Sequence, residues 1–149
     1  MRAVRNFEEF IDEGIVKKQA PDKSRANYLM NEYEKSYEFL LVIVRDYGIT
    51  EKNANSVIKL CYDTMMELIR ACMLKEGYNA SGLGAHEAEV AYLRKIGLKE
   101  NDVQFADQLR YFRNGIMYYG KQLDEEYAGK VLDFIKKTYP ALKEIYFTS

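Results

Sequence analysis

VIKLCYDTMMELIRACML, residues 57–74, decides the architecture. Its charged residues are Lys59, Asp63, Glu67 and Arg70, at spacings of four, four and three, so on a helix they fall on one narrow stripe. The rest of the circumference is apolar. A helix of that kind is covered by neighbours on several sides, which places it at the centre of a bundle. Its polar stripe faces either water or a polar cleft. The same charges argue against a membrane span.

The elements on either side read as helices too. No alternating apolar–polar pattern persists anywhere, and proline occurs only at positions 21 and 140. Phe7, Phe10 and Ile11 suggest a short first helix that ends at Gly14. Asp22 or Ser24 can cap a second, whose stripe of Ala26, Leu29, Tyr33, Tyr37, Leu40 and Val44 runs to Tyr47. Gly48 closes it, and Thr50 is the expected cap of the central helix, which should end near Glu76. GYNASGLG, residues 77–84, reads as a loop. A short helix near 85–96, stopped by Gly97, precedes a fifth near 101–119. Asp124 should cap a last helix carrying Tyr127, Val131, Phe134, Ile135, Thr138, Leu142 and Ile145 on one face, with Pro140 expected to kink or shorten it. The expected fold is therefore all-α, a four- to six-helix up-and-down bundle.

The 149 residues suit a single domain over 1–149. A net charge of -1 provides no global field toward nucleic acid or membrane, so any nucleic-acid contact needs a local basic patch. No apolar run follows Met1, which argues against a signal peptide and for a cytoplasmic protein. Cys61 and Cys72 would lie about 16 Å apart on one helix, too far for a disulfide between them. They read as small core residues of a reducing compartment. With a single histidine, His86, no metal site is expected, and nothing indicates a cofactor.

The fifth helix carries the least ordinary triplet. In LRYFRNGIMYYG, residues 109–120, Arg113, Asn114 and Gly115 interrupt an aromatic seam. Phe105, Leu109, Phe112, Ile116 and Tyr119 are spaced four, three, four and three, and form the core face. Arg110, Arg113, Asn114 and Met117 lie on another flank, with Tyr118 one turn beyond Asn114. Arg113, Asn114 and Tyr118 can therefore share a surface, and Gly115 leaves room beside them for a backbone or a ligand. The alternative is that Arg113 covers the bundle edge with its stem and pairs with an acidic neighbour.

RNGIMYYG, residues 113–120, resembles the signature of the HEPN superfamily, in which a helical arginine, usually followed by asparagine, precedes a histidine four to six residues on. Arg113 and Asn114 match, and Tyr118 stands where the histidine would fall. DEGIVKKQAPDKSRANYLMNEYEKSYEFLL (12–41) is similar to the family's opening, and GLGAHEAEVAYLRKIG (82–97) to the segment ahead of its motif. The resemblance implies a bundle that forms a homodimer, with the motif helices of both chains meeting across a shared cleft. It also implies either a metal-independent ribonuclease, as in toxin–antitoxin pairs, or a non-catalytic domain that binds RNA or a nucleotide. Some such domains partner a nucleotidyltransferase or an antitoxin.

On that reading Arg110, Arg113 and Asn114 would hold phosphate. Tyr118, with an ordinary phenol pKa near 10, is a poor base at neutral pH, which favours binding over catalysis; in an active ribonuclease Arg113 would act with Tyr118 or His86. His86 is the available imidazole. It is expected on the face of Val90 and Leu93 as a packed, hydrogen-bonded side chain, or, if it reaches the Arg113 cleft, as an acid–base group. Asp63 and Glu67 would orient Arg113 or form a solvated stripe.

Overall fold

In the computed structural model, residues 3–119 and 122–148 are described, the side chains of 117–119 lying outside the description. Six helices form among them: α1 (Phe7–Asp12), α2 (Lys23–Tyr47), α3 (Ala54–Glu76), α4 (Ala85–Lys95), α5 (Glu100–Tyr119) and α6 (Glu125–Thr148). Two three-residue strands, β1 (Val16–Lys18) and β2 (Tyr78–Ala80), pair antiparallel with Val16 opposite Ala80.

Contacts at the helix ends give the directions. The Asp22 amide at the start of α2 donates to the Leu74 carbonyl near the end of α3 (3.0 Å), so these helices form an antiparallel hairpin. At the opposite end of α3 the Leu123 amide donates to Asn55 Oδ1 (2.9 Å), while Lys75 donates to the Tyr146 carbonyl, so α6 runs parallel to α3. Lys137 meets Asp102 at 2.6 Å and Tyr127 donates to Gln108 at 3.4 Å, which sets α5 antiparallel to α6. The chain order α2, α3, α5, α6 is thus up, down, up, down. As its apolar girth requires, α3 is central and buries Val57, Ile58, Met65, Leu68, Ile69 and Ala71 almost completely.

α1 and α4 close one end. Phe7 packs edge-on against Tyr78 and Tyr92, both at 5.2 Å between centroids, and Arg94 donates to the carbonyls of Val4 (3.0 Å) and Arg5 (3.2 Å). No helix among the described residues is long and apolar enough to cross a membrane.

Two local expectations are corrected. The stretch expected as loop after Gly77 contains β2, and β1 precedes α2. Val16–Lys18 has one inward residue and two exposed ones, too short a run to show a period. The central helix starts at Ala54, not directly after Thr50. Thr50 and Asn53 exchange hydrogen bonds (2.7 and 3.3 Å) in the turn ahead of it, and Asn53 also donates to the Gly48 carbonyl at 2.9 Å. Of the two effects expected of Pro140, shortening is absent: α6 runs through it to Thr148. Pro140 is exposed, and burial of Thr138, Tyr139, Leu142 and Tyr146 on either side offsets the hydrogen bond that proline cannot make.

Cys61 and Cys72 are free and buried, and burial pushes both thiols up to about 12. Neither is expected to react with a thiol-specific disulfide reagent in the folded protein at mildly alkaline pH, whereas both should react in denaturant. Fast labelling of either cysteine in the native state would show that α3 opens.

A polar cleft along the central helix

The stripe on α3 does face a cleft. Asp63, Glu67 and Arg70 line a cavity of about 230 Å³ together with Tyr62 and Met66 from α3, His86 from the first turn of α4 and Arg113 from α5. Thus Arg113, His86, Asp63 and Glu67, candidates from three separate helices, border one space. The α4 end is set by Gly84, whose φ of +90° turns the chain into the helix close against Ile15.

Arg113 is held from two sides. Its Nη2 lies 3.3 Å from Asp63 Oδ1, and its guanidinium sits 5.4 Å from the centroid of the Tyr62 ring. Its Nε is buried and has no hydrogen-bond partner among the described residues, and the same holds for the Tyr62 hydroxyl. Burial raises the Tyr62 phenol to about 12, against the opposing pull of Arg110 and Arg113, so it stays a neutral donor.

The other wall is an ion-paired group. Glu89 is 3% exposed, with Arg70 Nε at 2.5 Å from one carboxylate oxygen and Nη2 at 3.2 Å from the other. This is the bidentate arrangement in which arginine binds a carboxylate best. His86 Nδ1 stands 2.8 Å from Glu89 Oε1 and 3.2 Å from Arg70 Nη2. The nitrogen cannot donate to the carboxylate and accept from the guanidinium at once. The shorter, charge-assisted contact assigns the proton to Nδ1, which leaves Nε2 as the acceptor nitrogen of the neutral ring. Glu67 has its pKa raised, first by burial and then by neighbouring Asp63, with Arg70 opposing.

The remaining candidates fall elsewhere. Arg110 pairs with Asp107 at 2.8 Å and, with Asn114, borders a second opening of about 370 Å³ under the Gly82–Glu87 turn. His86 borders both openings, and Arg110 as well as Arg113 lies close enough to Tyr62 to act on its phenol. Tyr118 belongs to α5 by its backbone, but its side chain lies outside the described residues. The expected packing of His86 on the Val90–Leu93 face is corrected. Val90 and Leu93 are fully buried, whereas the His86 side chain is 58% exposed. The buried polar residue of that helix is Glu89, one turn further on, and His86 reaches back over it.

Sequence reasoning passed over Tyr62 and Glu89 as site residues and took Arg70 only as part of the stripe. A usable signal was present at Glu89. A lone carboxylate inside Ala88–Leu93, three residues after a histidine, is a charge in an apolar run and calls for a buried partner.

Comparisons with protein-family models, with curated proteins and with solved structures find no match for this chain.

Proposed function

We propose that this is a HEPN-like helical protein that binds RNA or a nucleotide through the cleft at Arg113. One observation carries the reading: Arg113 Nε and the Tyr62 hydroxyl are buried donors, bordering a cleft, that no described group satisfies. A buried donor left unpaired costs about 1–3 kcal/mol, and a phosphoryl oxygen is an acceptor that would serve both. Asp63 occupies only Nη2 of the guanidinium at its present distance, which leaves Nε for an incoming oxygen. The carboxylates that face both arginines keep the cleft from being strongly basic, so affinity must come from these directed bonds more than from net field. A homodimer sharing the cleft, as the resemblance implies, would add a second set of donors.

A metal-independent ribonuclease is the second reading, favoured by the place of His86. A buried carboxylate fixes its tautomer and leaves Nε2 as a base, and the ring borders the Arg113 cleft. In that reaction Nε2 takes the 2′-hydroxyl proton, the 2′-oxygen bonds to phosphorus, and the bond from phosphorus to the 5′-oxygen breaks. The leaving oxygen is protonated from water.

One experiment separates these. Fluorescent single-stranded RNA is titrated with the protein in EDTA at several salt concentrations. Salt-dependent binding is expected, weakened roughly tenfold or more in Arg113→Ala and not restored in Arg113→Lys, which lacks the Nε–H and the planar fork. Cleavage lost in His86→Ala with binding retained would establish the enzyme. Absence of both binding and cleavage would remove the RNA reading and leave a protein partner, such as a nucleotidyltransferase or antitoxin, to be sought by pull-down. Light scattering that finds only a monomer at micromolar concentration would exclude a cleft shared between two chains.

A further inference from the structure

The Arg70–Glu89 pair has a cavity on its other side as well. It is a half-open pocket of about 200 Å³ between α2, α3, α4 and β2, with Arg25 and Asn79 exposed at its rim. Its apolar lining is Leu29, Met73, Leu74 and Ala80, and Tyr33 and Tyr78 also border it. Among the polar residues on its border, the Arg25 guanidinium, the Tyr33 hydroxyl and the Asn79 amide have no side-chain hydrogen bond among the described residues. Arg25 uses only its backbone N–H, which donates to Asp22.

The charges on this border are Arg25, Arg70 and Glu89, and Glu89 is already matched by Arg70. One positive charge is left over, on Arg25. Burial raises the Tyr33 phenol, and the nearby Glu67 adds to this, so it remains a neutral donor. The volume is below the roughly 300–1,000 Å³ of pockets that hold drug-sized ligands, and so suits a metabolite-sized occupant.

We propose that this cavity is a binding site for a small monoanion with a flat apolar body, an aromatic carboxylate being the chemical class that fits. The carboxylate lies against Arg25 and accepts from Tyr33 or Asn79, while the ring occupies the Leu29–Met73–Leu74 floor. The site is separate from the Arg113 cleft, and only Arg70 borders both.

The test uses benzoate and 4-hydroxybenzoate as probes, with benzamidine as a cation of the same shape, read by thermal unfolding and calorimetry on the full chain. The benzoates should raise Tm saturably, by roughly 3–8 °C at high occupancy, and benzamidine should not. The shift should vanish in Arg25→Ala, an exposed position where the fold is not at risk, and in Leu29→Phe, which fills the floor. It should persist in Arg113→Ala. No saturable shift with either benzoate, an equal shift with benzamidine, or an undiminished shift in Arg25→Ala would each overturn the proposal. Loss of the shift in Arg113→Ala would also overturn it, by moving the anion to the cleft.

Discussion

Glu89→Ala is expected to destabilise the fold by about 3 kcal/mol, measured as a lowered urea midpoint with an unchanged m value. The carboxylate is almost fully buried and receives both Arg70 contacts as well as the His86 ring. Removing it leaves a guanidinium on the central helix without its paired carboxylate, with the more distant Glu67 left as counter-charge. Breaking a buried pair from one side typically costs about 3–5 kcal/mol. The Arg70 side chain is 39% exposed and can turn part of its charge to water, which puts the estimate at the lower end. Glu89→Gln keeps the shape and one acceptor and should cost about half as much. A loss below about 1 kcal/mol in the alanine variant would mean that the pair is solvated in solution, like an ordinary surface ion pair. His86 would also lose the group that fixes its tautomer. If the cleft cleaves RNA, the Gln variant should therefore lose rate with little change in RNA affinity.

Gly77→Ala should cost about as much for a different reason. Gly77 ends α3 with a φ of +92°, where an L-residue is strained by roughly 1–2 kcal/mol. A Cβ at that position would also run into the Gln19 carbonyl oxygen, with the Pro21 ring in contact at 3.4 Å. Both neighbours belong to the segment between β1 and α2, and the Gln19 amide donates to the Gly77 carbonyl at 2.8 Å. Backbone cannot swing aside as a flexible side chain can, so the two segments must separate. We expect a total of about 3 kcal/mol, seen as a drop in Tm. Because β2 borders the smaller cavity, weaker benzoate binding should accompany it. The control is Gly97→Ala: it shares a positive φ, +101°, but a Cβ there meets nothing within 4 Å, so it should show the strain alone.

The bundle was legible because its signals are local and repeated. The stripe of Asp63, Glu67 and Arg70 marked α3 as central, and Gly48 and Gly97 ended helices where the sequence placed them. On α5 the four–three spacing found Leu109 but missed Val103 and Ala106, which are also fully buried; Phe105, Phe112 and Ile116 are only half-buried, and the Tyr119 side chain lies outside the described residues. The β1–β2 ribbon was not legible, because its strands are three residues each and the partners lie on opposite sides of the α2–α3 hairpin in sequence. Periodicity cannot reveal a pairing of that kind. In the cleft, residue types gave Arg113, His86, Asp63 and Glu67, but helix spacing alone could not show how α4 lies against α3. That placement exposes His86 and buries Glu89 under Arg70, with Arg110 and Asn114 bordering a second opening beside His86.

The ribbon also bears on the order in which the chain folds. Pairing Val16 with Ala80 directly from the unfolded chain would close a long loop, at an entropy cost that grows with the logarithm of its length. The turn at residues 48–53 removes most of that cost, because closing α2 on α3 already brings Asp22 beside Leu74. The strands then meet as near neighbours. On that order the ribbon is expected to form late, as a clasp on an existing hairpin, so that weakening it should speed unfolding more than it slows folding in stopped-flow measurements.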